Sequence, residues 1–138
     1  MSNLFANMTV LNNLKLENFD TSNVVDFSSM FYSCKSLSSL DLSNINTGNA
    51  VYMQSSFQNC KNLISLDVSK FSTENVKNMS HLFDGCELLR ELKLTNWKTL
   101  CLQDTSYMFK NCMALFNLEI YNLKVSEVVD MSNMFYNC

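Results

Sequence analysis

The sequence predicts an α/β chain of short stacked units, with a parallel strand sheet on one face and short helices on the other. Two observations predict it. A phenylalanine returns every 26 residues, at Phe5, Phe31, Phe57, Phe83, Phe109 and Phe135. A cysteine follows three places later at Cys34, Cys60, Cys86, Cys112 and Cys138, with Met8 in that slot of the first copy. Within each copy the apolar spacing then switches from a helical to an alternating one. A fixed period of this length marks supersecondary units that bury their apolar faces against one another.

The helical half is clearest at Met79, Leu82, Phe83 and Cys86, spaced i, i+3, i+4, i+7. That spacing is one face of a helix of about two turns. It recurs at Phe27/Met30/Phe31/Cys34 and at Met131/Met134/Phe135/Cys138. Asp26, Asn78, Asp104 and Asp130 stand just before it, where a short Asx side chain can accept first-turn amides as an N-cap. Tyr52 breaks that column, so the second helix has the weakest start. An alternative start, capped at Asn23, Asn49 and Asn75, stays open.

The alternating half is L-x-x-L-x-L, as in Leu37/Leu40/Leu42, Leu63/Leu66/Val68, Leu89/Leu92/Leu94 and Leu115/Leu118/Ile120. Its last pair reads as a short strand with one face buried. A bulky residue follows at Phe19, Ile45, Phe71, Trp97 and Leu123. Then comes a threonine column, Thr21, Thr47, Thr73 and Thr99, with Val125 last. Proline is absent and glycine occurs only at Gly48 and Gly85, so Asn, Asp, Ser and Thr must make the turns. One rank of threonines, flanked by Glu74 and Lys98, reads as turn hydrogen bonding and not as a lattice-matching ice-binding face.

Strand, turn and helix in one short period is the leucine-rich repeat plan, and stacking such units gives a solenoid. The segments Phe19–Asn44 and Phe71–Leu94 carry Thr, Asn-Val, Met-Phe (Leu82-Phe83 in the second), Cys and Leu-x-Leu in order. In them the chain resembles the BspA-like class of leucine-rich repeats, found in surface proteins of bacteria and some protists. The likeness runs over essentially the whole chain. The copy from Trp97 departs most, with Cys101 in the Asn column and Thr105 in the Met column. The next carries Val125 and Glu127, so less regular packing is expected in that half. Residues 1–138 are read as a single leucine-rich repeat array, five copies and the start of a sixth. Both ends stand in register, so a fragment of a longer array is expected, frayed or aggregation-prone at its ends when isolated.

Composition narrows the function. The chain has 138 residues, 47% of them hydrophobic, a formal charge of −3 and a pI near 5.0, which suits a folded acidic chain. Lys and Arg do not cluster, so the electrostatic footprint of nucleic-acid binding is missing. No apolar run approaches the roughly 20 residues of a membrane helix, and the first residues carry no secretory-signal pattern. No closely spaced cysteine pair suggests a metal site. The ladder cysteines read as small buried side chains with free thiols, and Cys101, off the ladder, as the reactive one. His81 shares its column with Asn3, Ser29, Ser55, Tyr107 and Asn133, and reads as an exposed residue without a catalytic partner. Asn7-Met8-Thr9 and Asn78-Met79-Ser80 match the glycosylation acceptor pattern, weakly, in an Asn- and Ser-rich chain.

Neither a catalytic constellation nor a cofactor motif is visible, so the chain is read as no enzyme and without cofactor. The outward positions of the strand segments remain. They make a candidate partner-binding face of Lys15, Glu17, Asp41, Asp67, Glu91, Lys93, Glu119 and Tyr121, since solenoids commonly bind extended partners on such a surface. The expected function is non-enzymatic recognition of a protein or cell-surface partner. By resemblance the chain is an adhesin-like protein at the cell surface or secreted. The alternative is a structural spacer or intracellular scaffold with no ligand of its own.

Overall fold

The computed structural model describes residues 1–138 as one stack of 26-residue coils around a single apolar core. Buried residues of that core run from Leu16 to Met134. The phenylalanines form its spine: Phe5, Phe31, Phe57, Phe83, Phe109 and Phe135 stack in order. Their ring centroids are 5.4–5.7 Å apart and their planes lie within 12° of parallel. Offset stacks of this kind add about 0.5–1.5 kcal/mol per pair beyond the area they bury.

The expected helices do not form, so the α/β leucine-rich repeat solenoid with a helical face is corrected. The only regular elements are two three-residue strands, β1 (Glu91–Lys93) and β2 (Asn117–Glu119). The segment that carries Met79, Leu82, Phe83 and Cys86 is a chain of overlapping turns. Leu82, Asp84 and Cys86 donate their amides three residues back, to Met79, His81 and Phe83, at 3.0–3.2 Å. The alternate amides leave the coil. Met79, His81, Phe83 and Gly85 donate to the carbonyls of Asp104, Ser106, Met108 and Lys110 in the next coil, at 2.7–2.9 Å. An α-helix would turn the amides beyond its first turn, those of Phe83 and Gly85 among them, onto its own carbonyls four residues back, and the stack would lose bonds that join its coils. The apolar spacing is still satisfied, because all four of those side chains are buried.

Two residues in each such segment have left-handed backbone. One column is Asn3, Ser29, Ser55, His81, Tyr107 and Asn133 (φ +52° to +59°); the other is Asn7, Ser33, Asn59, Gly85, Asn111 and Asn137 (φ +57° to +74°). Asn and Gly tolerate this region best, which accounts for their frequency there. The predicted caps are Asx turns instead. Asp26, Asn78, Asp104 and Asp130 accept through Oδ1 the amides of Ser28, Ser80, Ser106 and Ser132 at 2.8–2.9 Å. Tyr52 cannot do this, and Gln54, in the serine column, keeps a buried Oε1 with no partner. The alternative caps fare no better. Asn49 and Asn75 instead donate Nδ2 across the stack to the carbonyls of Ser22 and Gly48.

The phenylalanine–cysteine spacing has a concrete cause. The Phe57 carbonyl accepts the Cys60 amide of its own coil at 3.2 Å and the Cys86 thiol of the next at 3.2 Å. The same S–H donation recurs from Cys60 to Phe31 and from Cys112 to Phe83.

The strand sheet is much smaller than expected. β1 and β2 pair in parallel, Glu91 opposite Asn117, Leu92 opposite Leu118 and Lys93 opposite Glu119. On this face one further bridge joins Ser65 to Glu91, and four others form a separate parallel row through Asp26, Tyr52, Asn78, Asp104 and Asp130. In the second and third coils the residues equivalent to Lys93 are Asp41 and Asp67. Their Oδ1 atoms accept the amides of Ser43 and Ser69, both at 2.9 Å. That local bond closes an Asx turn. Lys93 and Glu119 do not make it, and the ladder forms in the half of the chain where less regular packing was expected. Both end coils are less well covered than the middle ones: Phe5, Leu11, Leu14 and Phe19 at one end and Leu115, Leu118, Ile120 and Leu123 at the other are only partly buried.

Candidate partner-binding face

The outward positions of the strand segments form a row of polar side chains across the stack. Lys15, Glu17, Asp41, Asp67, Glu91, Lys93 and Tyr121 are exposed and Glu119 is half-buried. The inward leucines between them hold the row in place, with Leu42, Val68, Leu92 and Leu94 all buried. Two shallow depressions divide it. One is walled by Asp41, Ser43, Asp67 and Lys70, and the next by Ser65, Asp67, Ser69, Glu91 and Lys93. Asp67 contributes to both. Lys15, Glu17, Glu119 and Tyr121 line neither depression.

The charges on this face are largely fixed. The backbone amide of Ser43 and then its hydroxyl hold the Asp41 carboxyl below the usual carboxylate range. The Ser69 hydroxyl and then its amide do the same for Asp67. Lys70 adds a smaller attraction to each. Lys93 Nζ lies 3.3 Å from Glu119 Oε1 across the β1–β2 ladder, a solvent-exposed pair that contributes little to stability. Lys70 escaped the sequence reading, although its column signals it: Asn18, Asn44, Asn96 and Asn122 occupy the other copies.

On the turn side the structure corrects the reading of His81. It is not an isolated exposed residue. Its Nδ1 lies 2.9 Å from Oδ2 of the buried Asp84, and its ring stacks on Tyr107 with centroids 4.7 Å apart. Gln58 donates Nε2 to Asp84 Oδ2 at 2.9 Å, and Asn111 donates Nδ2 to Oδ1 at 3.4 Å. Both oxygens of the buried carboxyl are thus hydrogen-bonded, as burial requires. These partners come from three successive coils, so the cluster joins them.

The thiols divide by burial. Burial pushes the Cys60 and Cys112 thiols up to about 12 and the Cys86 thiol well above its ordinary value. All six cysteines are free, and Cys101 is exposed as expected. Cys138 is exposed too, against the expectation for a ladder cysteine.

With this geometry in view, the comparison with known families is specific. Residues 1–91 and 53–138 each match the family described as Mycoplasma protein of unknown function, DUF285. The chain belongs to the DUF285 family. The two matches begin at residues 1 and 53, an offset of two 26-residue periods, so this DUF285 chain matches its own family twice in register. No curated protein and no solved structure matches it. No helix of this DUF285 chain is long and apolar enough to cross a membrane.

Proposed function

We propose that the chain is a non-enzymatic recognition module that holds a protein or cell-surface partner against its strand face. The observation that carries this reading is a division between columns. The inward columns repeat from coil to coil, whereas one outward column reads Lys15, Asp41, Asp67, Lys93 and Glu119. Varied side chains on a repeating backbone suit recognition of an extended partner. The resemblance to BspA-like leucine-rich repeat proteins supports an adhesin-like role at the cell surface or in secretion. Nucleic acid and cofactors have no part in this reading.

A structural spacer or intracellular scaffold is the second reading. It is favoured by the absence of an aromatic anchor other than Tyr121 on this face, since strong interfaces concentrate aromatic residues at their centre.

Two experiments separate them. Protease shaving of intact host cells, with mass spectrometry of the released peptides, tests location: peptides found only after lysis remove the adhesin reading. Replacing Asp41→Asn, Asp67→Asn and Glu91→Gln together tests the face. Loss of binding to intact target cells with unchanged circular dichroism supports recognition. Unchanged binding sinks the strand-face reading.

A further inference from the structure

The contacts that recur from coil to coil do not fix which coil is whose neighbour. Phe83 stacks on Phe57 at 5.6 Å and Phe57 on Phe31 at 5.5 Å. The Cys86 thiol donates to the Phe57 carbonyl as the Cys60 thiol does to the Phe31 carbonyl, both at 3.2 Å. The Thr73 hydroxyl accepts the Lys98 amide as the Thr47 hydroxyl accepts the Ser72 amide. The second coil therefore offers the fourth the same repeating partners as the third does. In the finished chain such a slip would strand the third coil. During folding, before all coils are placed, nothing in these columns opposes it, and misassembly of this kind is a characteristic failure of repeat chains. Loop length discriminates weakly too, since closure entropy grows slowly with length.

One junction carries contacts that do discriminate. The column of Ala6, Tyr32, Gln58, Asp84, Lys110 and Tyr136 does not repeat. In it Gln58 Nε2 of the third coil donates to Oδ2 of the buried Asp84 in the fourth, at 2.9 Å. Beside them Asn59 fills the room that Gly85 leaves, where a Cβ would collide with the Asn59 side chain. Two of the three ion pairs between coils join these same two coils, Lys61–Glu87 at 2.7 Å and Glu74–Lys98 at 3.0 Å; the other, Lys93–Glu119, joins the fourth to the fifth. With the second coil against the fourth, Lys35 would replace Lys61 without loss. Tyr32, however, would stand in place of Gln58, Ser33 in place of Asn59 and Gly48 in place of Glu74. Tyr32 has only a hydroxyl at the far end of a rigid ring to offer, so the buried Asp84 carboxyl would lose its Gln58 donor. The room over Gly85 would go unfilled. The lost donor to a buried carboxyl weighs most, since exposed ion pairs contribute little.

We infer that the junction of the third and fourth coils is a registry seam, in which the Gln58–Asp84 bond and the Asn59–Gly85 contact admit the third coil and reject the second while the chain folds. Fixing register among otherwise equivalent apolar partners is the best-attested use of a buried polar group. Asn111 donates to Asp84 Oδ1 from the fifth coil at 3.4 Å, but it takes no part in the choice, because Asn137 in the same column would serve as well.

The test follows the full chain as it refolds from urea, with p-benzoylphenylalanine in place of Arg90, an exposed residue whose amide bonds to the Ile64 carbonyl of the third coil. Brief ultraviolet pulses at successive refolding times, then proteolysis and mass spectrometry, give the share of cross-links to residues 35–41 of the second coil against residues 61–67 of the third. In the parent this share should stay at its fully folded value throughout. Asp84→Ala should raise it about fivefold early in refolding, the smaller end of what a lost buried hydrogen bond is worth. Gln58→Ala, at a partly exposed position, should raise it in the same direction and keeps the test decisive if Asp84→Ala fails to fold. Thr99→Val weakens the junction of the fourth and fifth coils, where Thr99 holds the Lys124 backbone, and should leave the share unchanged. Shares equal to the parent's in Asp84→Ala and Gln58→Ala overturn the proposal. So does a rise as large in Thr99→Val, which would mean that any loss of stability loosens the register.

Discussion

The Thr73 hydroxyl is built into the backbone of the neighbouring coil: its Oγ1 accepts the Lys98 amide at 3.0 Å and donates to the Lys98 carbonyl at 3.4 Å. Thr21, Thr47 and Thr99 do the same for Asn46, Ser72 and Lys124. All four threonines are buried. Each hydroxyl replaces a turn of backbone pairing at a place where the coils approach side by side. Thr73→Val keeps the shape and leaves both Lys98 groups without that partner, which costs about 1–3 kcal/mol. Thr73→Ser should recover most of the loss. Urea unfolding of the two variants decides it: a valine variant as stable as the parent would show that water replaces the hydroxyl freely.

Ser56 breaks the column of Leu4, Met30, Leu82, Met108 and Met134. Its short side chain leaves a small apolar void walled by Met30, Met53, Phe57 and Leu82 among others. Ser56 Oγ donates to the carbonyls of Phe27 and Met53, but both carbonyls also accept backbone amides, from Met30 and Ser56. Little is orphaned when the hydroxyl goes. Ser56→Met should therefore stabilise the chain by about 0.5–2 kcal/mol, as cavity filling commonly does. A lower urea midpoint for this variant would mean that the void is too narrow and the added side chain strains its walls.

The apolar period, the inward leucines and the threonine chemistry were legible because burial enforces them from coil to coil, the threonine at Thr21, Thr47, Thr73 and Thr99. The helix was misread because i, i+3, i+4, i+7 spacing serves a chain of overlapping turns as well as a helix. The contrary signal was present: Gly85 shares a column with Asn7, Asn59, Asn111 and Asn137, the residue types that accept left-handed backbone. The Asp84 cluster was not legible. Gln58 and Asn111 reach it from neighbouring coils, and only the stacking geometry brings them there.

The buried thiols predict alkaline instability. A thiol whose pKa is raised on folding binds its proton more tightly in the folded chain. Its stabilisation is fully present below the ordinary thiol value of 9.0, and is lost as pH rises toward about 12 for Cys60 and Cys112. Within that window each such thiol lowers stability by about 1.4 kcal/mol per pH unit. Chemical unfolding at pH 8 and pH 10.5 should show a steep loss, reduced in Cys60→Ala relative to its own stability at pH 8. Native alkylation should reach Cys101 first, and the unfolded chain should titrate six thiols. Rapid native labelling of Cys86 would contradict the buried ladder.

The phenylalanine spine makes the cost of truncation depend on position. Phe83 is fully buried and stacks on both Phe57 and Phe109, at 5.6 and 5.7 Å. Phe5 is only partly buried; along the spine it has one stacked neighbour, Phe31, with Phe19 tilted against it at 6.1 Å. Phe83→Ala should cost about 3–5 kcal/mol, the range for buried phenylalanines, and Phe5→Ala clearly less. In a stack each coil meets only its neighbours, so a weak central coil also loosens the coupling between the two halves. The Phe83→Ala chain should then unfold in a broadened urea transition with a reduced slope, while Phe5→Ala keeps the parent slope and a small midpoint shift. Hydrogen exchange adds an independent reading. The Phe83 amide, bonded to Met108 in the next coil, should be among the slowest in the parent chain. Equal losses from the two substitutions, with unchanged slopes, would mean that the coils unfold as one unit and that the spine is not what joins them.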